Sequence, residues 1–107
     1  MLTKKTAIER VKNFAREVKS TGLHLRKVIV FGSYAHSKQH KWSDIDVALV
    51  ADEFSGIGFN DTQYFARINN KKPYILIETN TFPTSYFRKG DPFIDEIKRT
   101  GIEINLK

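Results

Sequence analysis

Two apolar, β-rich runs with a glycine turn between them set the frame of this chain. Lys27-Val28-Ile29-Val30-Phe31 reads as a buried strand, because β-branched and aromatic side chains suit a pleated, covered surface. Gly32-Ser33 ends it. Residues 43–50 form a second strand, whose tail Val47-Ala48-Leu49-Val50 is again apolar. Ile8, Val11, Phe14, Ala15 and Val18 keep helical spacing, which predicts a helix over 6–21, with Thr6 and Glu9 at capping-box spacing and Gly22 as its stop. Further along come a short helix over 34–38, a loop over 51–60 and a helix over 61–68 with Asp61 as N-cap. A third strand is expected over 74–77, with turns at Pro83 and at Gly90-Asp91-Pro92. Pro92 opens a helix over 92–98, Gly101 follows its end, and 102–105 adds a short edge strand. The order α-β-α-β-α-β-α-β belongs to an α/β domain: a small mixed β-sheet flanked by helices.

The 107 residues suit one compact domain, taken as 1–107. The absence of cysteine excludes disulfides, thiolate metal sites and a Cys nucleophile, and fits a reducing cytoplasm. No apolar run approaches the roughly 20 residues of a membrane span, and no apolar signal core follows Lys4-Lys5, so a cytoplasmic location is expected. The formal charge of +6 favours anionic partners. The cations are scattered in pairs at element ends, however, and no nucleic-acid-binding signature accompanies them. Nucleic acid is therefore a possible but unsupported partner.

The chemistry is concentrated between Phe31 and Val47. Asp44 and Asp46 are two apart on a predicted strand, so both carboxylates point to one face while Ile45 and Val47 point to the other. Like charges held this close call for a cation between them. Mg²⁺, bound through carboxylates and phosphate oxygens, meets that need. A solvated strand face carrying two Asp is the plain alternative. Gly32-Ser33 lets backbone approach a ligand closely, and a helix starting behind it would offer free N–H groups to phosphate. An ordinary strand-to-helix turn is the plain alternative there. A phosphate cradle after one strand and a metal pair on the next are together the equipment of phosphoryl or nucleotidyl transfer. No Lys-Ser/Thr follows the glycine, which excludes a Walker loop.

Gly32-Ser33, ten intervening residues, then Asp44-Ile45-Asp46 resembles the signature of the polymerase-beta-like nucleotidyltransferase superfamily. The Ser43-Asp44-Ile45-Asp46-Val47 run and the short chain resemble its minimal nucleotidyltransferase branch, several members of which pair with HEPN-domain toxins. Asp91-Pro92-Phe93 and the segment 97–102 resemble the closing part of such domains. The resemblance implies the nucleotidyltransferase fold, a nucleoside triphosphate substrate such as ATP, and one or two Mg²⁺ ions. It implies metal and catalytic roles for Asp44 and Asp46, with Glu78, at the end of the 74–77 strand, as a third carboxylate acting as ligand or general base. Gly32 and Ser33 would hold the triphosphate. Many relatives carry Arg-Gly where this chain has His36-Ser37, so His36, Lys38 or Lys41 would supply the missing cation.

Larger relatives carry a second domain for the acceptor. In this chain the acceptor is expected to be a hydroxyl on a partner, first of all a HEPN toxin, making the protein an antitoxin that transfers AMP. The alternative is a weakly active or inactive antitoxin that neutralises by contact. Trp42 is expected to pack rather than stack on a base. Tyr64 and Phe65 are expected in the core or on a partner surface.

Overall fold

The computed structural model describes residues 2–39 and 43–106. Lys41 and Trp42, singled out above, lie outside the described residues.

Helix α1 runs Lys4–Ser20, starting slightly earlier than its apolar spacing suggested. The cap is Thr3, whose hydroxyl oxygen accepts the Thr6 N–H at 3.1 Å, so Thr6 is already inside the helix. Gly22, at φ 95°, ends the helix as expected, in the left-handed conformation that glycine adopts without strain. Strand β1 (Leu25–Phe31) and β2 (Ile45–Ala51) pair antiparallel. β2 then pairs parallel with β3 (Ile77–Pro83), and the two-residue β4 (Ile102–Glu103) borders β1 antiparallel. The order is β3-β2-β1-β4, a mixed sheet with helices, as the element pattern predicted.

Alternation along the strands separates two cores. On one face Val28, Val30, Ile45, Val47 and Leu49 pack against Ala7, Val11, Phe14, Ala15 and Val18 of α1. Burying side chains such as Val11 and Phe14 contributes about 1.5–3 kcal/mol each. On the other face Ile29, Ala48, Val50 and Phe82 meet Phe87 of the helix Thr84–Lys89 (α4) and Ile94 and Ile97 of the helix Pro92–Thr100 (α5), which follow α2 (Gly58–Asp61) and α3 (Ala66–Asn69) in the chain. Asp91 caps α5 by accepting the Ile94 N–H at 2.7 Å, with Pro92 at the first position. Gly101 lets the end of α5 approach β1, since a Cβ there would lie 2.5 Å from Ile29.

Three expected elements fall differently. Residues 32–37 form successive turns where a helix was expected over 34–38. The segment after β2 breaks into α2 (Gly58–Asp61), a 3₁₀ turn (Thr62–Tyr64) and α3 (Ala66–Asn69). Asp61 is no N-cap. It is buried and accepts from the Ser55 N–H (2.7 Å), the Gly56 N–H (2.9 Å) and the Thr81 hydroxyl (2.7 Å), fastening this segment to β3. The apolar run 74–77 is not the third strand. Pro73 lies in a 3₁₀ turn (Lys72–Tyr74), Tyr74 docks on Phe14 of α1, and the strand starts only at Ile77. Phe65 is buried, as expected of a core residue, while Tyr64 is partly exposed and Phe59 almost fully so. Among the described residues no helix is long and apolar enough to cross a membrane.

Candidate active site

The register of the sheet sets Phe31, Asp46 and Glu78 side by side across β1, β2 and β3. Directly paired residues share a face, and this is the face of α4 and α5, because Ala48 and Val50 follow Asp46 at alternate positions into that core. Asp44 lies one residue before β2 rather than within it, yet its carboxyl is near enough to raise the pKa of Glu78. The three acidic side chains therefore gather at one edge of the sheet. Glu78 is the second residue of β3, not the tail of the preceding apolar run.

Gly32 bounds this cluster. Its φ is 70°, and a Cβ built on it would lie 2.2 Å from Oδ2 of Asp46, so only glycine leaves room for that carboxylate. The turns behind it are closed by the His36 N–H donating to the Gly32 carbonyl (3.2 Å) and the Lys38 N–H to the Ser33 carbonyl (2.8 Å). The positive φ of Gly32 at one end and of Ser37 (57°) at the other keeps the segment from winding into a helix. No helix dipole is thus available here. Among the described residues, however, the N–H groups of Ser33, Tyr34 and Ala35 donate to no backbone carbonyl, and the Ser33 hydroxyl has no partner. Tyr34, buried in the α1 core, anchors the turn.

Charge crowding is visible in the titration of the cluster. The hydrogen bond with Asp44, partial desolvation and the charges of Asp44 and Asp46 hold Glu78 above the usual carboxylate range. Burial, then the Asp44 charge, raises Asp46. A cation placed between these carboxylates would relieve the crowding. The donor set is all hard oxygen and fits Mg²⁺ or a similar ion. Among the described residues no three acidic or histidine side chains form a ready-made metal cage.

The side chains of His36 and Lys38 are exposed and make no hydrogen bond or ion pair among the described residues. A cation that sequence reasoning missed is Lys4, whose Nζ donates to the Ala35 carbonyl (3.4 Å) from the first turn of α1. Nothing in the local sequence signals a contact 31 residues away. Phe93, on α5, was noted only as part of a closing segment, yet its ring meets Phe31 at 5.7 Å. A concavity of about 910 Å³ lies elsewhere, at the far end of the same face, lined among others by Lys27, Val50, Thr84 and Arg88. It holds none of the three carboxylates, and two of its cations are already paired, Arg26 with Asp52 and Lys27 with Glu103.

A mixed sheet with acidic side chains on adjacent strands, beside a glycine turn whose N–H groups meet no carbonyl among the described residues, is equipment for the transfer of phosphorus-centred groups. The family model for the nucleotidyltransferase domain matches residues 11–106, and the chain belongs to that family, within the polymerase-beta-like superfamily. Compared with curated proteins, the chain has no significant match.

Proposed function

We propose that residues 1–107 form a single minimal nucleotidyltransferase domain that moves AMP from ATP to a hydroxyl of a partner protein, in the cytoplasm, as the antitoxin of a HEPN-type pair. What supports the transfer chemistry is one observation: Asp46 lies against Gly32 and in register with Glu78, while the carboxyl of Asp44 is near enough to act on both. The N–H groups after Gly32 and the Ser33 hydroxyl bind the triphosphate, with Lys4 and Lys38 adding positive charge at the turn and His36 a ring nitrogen for hydrogen bonding. Asp44, Asp46 and Glu78 would hold one or two Mg²⁺ ions, which when bound neutralise phosphate charge and polarise the α-phosphate. Glu78, ionised once a cation relieves the crowding, takes the proton of the acceptor hydroxyl. That oxygen attacks the α-phosphorus, the bond to the β-phosphate oxygen breaks, and pyrophosphate leaves. The AMP donor and the HEPN partner rest on family resemblance, which is a weaker warrant than the site.

The test is label transfer from α-labelled ATP with Mg²⁺ and a co-purified partner. The double variant Asp44→Ala, Asp46→Ala is expected to lose about 1,000-fold or more, equivalent to ~4 kcal/mol of transition-state stabilisation. Equal transfer by variant and wild type would contradict the assignment. The exposed His36 in place of an arginine favours one second reading, a contact antitoxin with little activity. Neutralisation of the toxin by the double variant in co-expression would support it.

A further inference from the structure

The row Phe31–Asp46–Glu78 does not end at β1. Phe93, second residue of α5, stands beside it, its ring centroid 5.7 Å from that of Phe31 at 79° and 6.3 Å from that of Phe82. Its helix neighbours Ile94 and Ile97 are sealed in the core at 0% and 1% exposure, whereas Phe93 keeps 48%. A single exposed apolar side chain usually carries no message. This one differs in two respects: it leans on the residue paired with a site carboxylate, and it is held rigid. Pro92 and the Asp91 cap fix the first turn of α5, and two aromatic rings brace the side chain. Asn80 shares the face, two residues beyond Glu78 and in register with Ala48, and its amide has no partner among the described residues.

We infer that Phe93, braced by Phe31, is the wall on which the nucleobase of the triphosphate stacks, with Asn80 placed to hydrogen-bond its sugar or base edge. The inference rests on the nucleotidyl-transfer reading and adds to it the part of the site that holds the nucleoside. The scale fits. Asp46 lies one strand spacing of about 4.8 Å from Phe31, and the Phe93 ring lies 5.7 Å from the Phe31 ring, so the wall stands within the reach of a nucleoside from its α-phosphate. Stacking on a phenyl face tolerates any base, so the wall supplies affinity, while Asn80, with a donor and an acceptor, is the group able to discriminate.

Calorimetric titration of the whole chain with Mg²⁺–ATP and with Mg²⁺–tripolyphosphate separates the nucleoside from the phosphates. Phe93→Ala is expected to weaken ATP binding roughly tenfold and to leave tripolyphosphate unchanged, while Phe93→Tyr binds ATP like wild type. Phe93→Leu keeps the apolar bulk without the flat ring and is expected to follow Phe93→Ala, which guards against a folding artefact. Wild-type ATP affinity in Phe93→Ala, or equal loss for both ligands, overturns the stacking wall. So does loss of partner binding with ATP affinity intact, which would assign the ring to the acceptor protein. If wild type binds both ligands and Asp46→Ala binds neither, nucleotidyl transfer stands whatever Phe93 does. If wild type binds neither, that reading falls and the wall with it.

Discussion

Gly32 and Asp46 touch where any side chain would collide. The Gly32→Ala variant places a methyl group 2.2 Å from Oδ2 of Asp46 and forces a φ of 70° on an L-residue. Either the carboxylate or the turn must shift by about 1 Å, and a displacement of that size in a reacting array costs about 100-fold in rate. We expect Gly32→Ala to remain folded by circular dichroism and to lose label transfer on that scale. Retained activity would mean that Asp46 does not work from this position. At this scale the sequence was informative where residues are neighbours in the chain. Gly32, Ser33, Asp44 and Asp46 lie within one strand-turn-strand stretch, and strand alternation alone predicts a shared face. Lys4 and Phe93 were not legible as site neighbours, because each arrives by packing of a helix that is remote from the turn in sequence.

Among the elements, β1, β2, α1 and α5 were readable, since each carries an apolar period or run with a cap or glycine stop beside it. β3 was not. The apolar run before it belongs to a turn that buries Tyr74. The true strand, Ile77–Pro83, carries Glu78-Thr79-Asn80-Thr81 at its centre. Glu78 is exposed, Thr79 and Asn80 are half-buried and Thr81 is buried, so polar side chains occupy both faces and no apolar alternation shows. Asp61 shows the same limit. Its position before a helical pattern suggested a cap, whereas its carboxylate is buried and ties the loop after β2 to β3. Burial pushes its pKa up, but the Ser55 and Gly56 N–H groups and the Thr81 and Ser55 hydroxyls outweigh burial and hold it below the usual range. A depressed folded-state pKa contributes stability above the unfolded value, about 3.9, and that contribution is lost as pH falls through the folded value. Asp61→Asn should therefore cost about 2–3 kcal/mol in urea unfolding at pH 7, with the gap to wild type narrowing below about pH 4. A pH-independent gap would mean that shape, not charge, holds the segment.

Across the whole molecule, one sheet separates two cores and gathers its unneutralised acid at a single edge. That edge works against stability. Glu78 and Asp46 have raised pKa values in the fold, so folding becomes less favourable as pH rises from the ordinary carboxylate range through the raised values. At neutral pH a bound divalent cation should reverse this, and a higher melting temperature with Mg²⁺ than with EDTA is the expected reading. The fold class and the family follow from features spread along the chain, but this balance depends on the register of β2 with β3, which no local pattern encodes.

The most direct measurement is a carbon-detected NMR titration of the side-chain carboxyls, with and without Mg²⁺, in wild type and in Asp44→Asn. Without metal, Asp46 and Glu78 should titrate above the ordinary carboxylate range. Mg²⁺ should bring both down, and Asp44→Asn should lower Glu78 with no metal present. Ordinary titration of both groups, indifferent to Mg²⁺ and to Asp44→Asn, would contradict a shared cation site at this edge of the sheet.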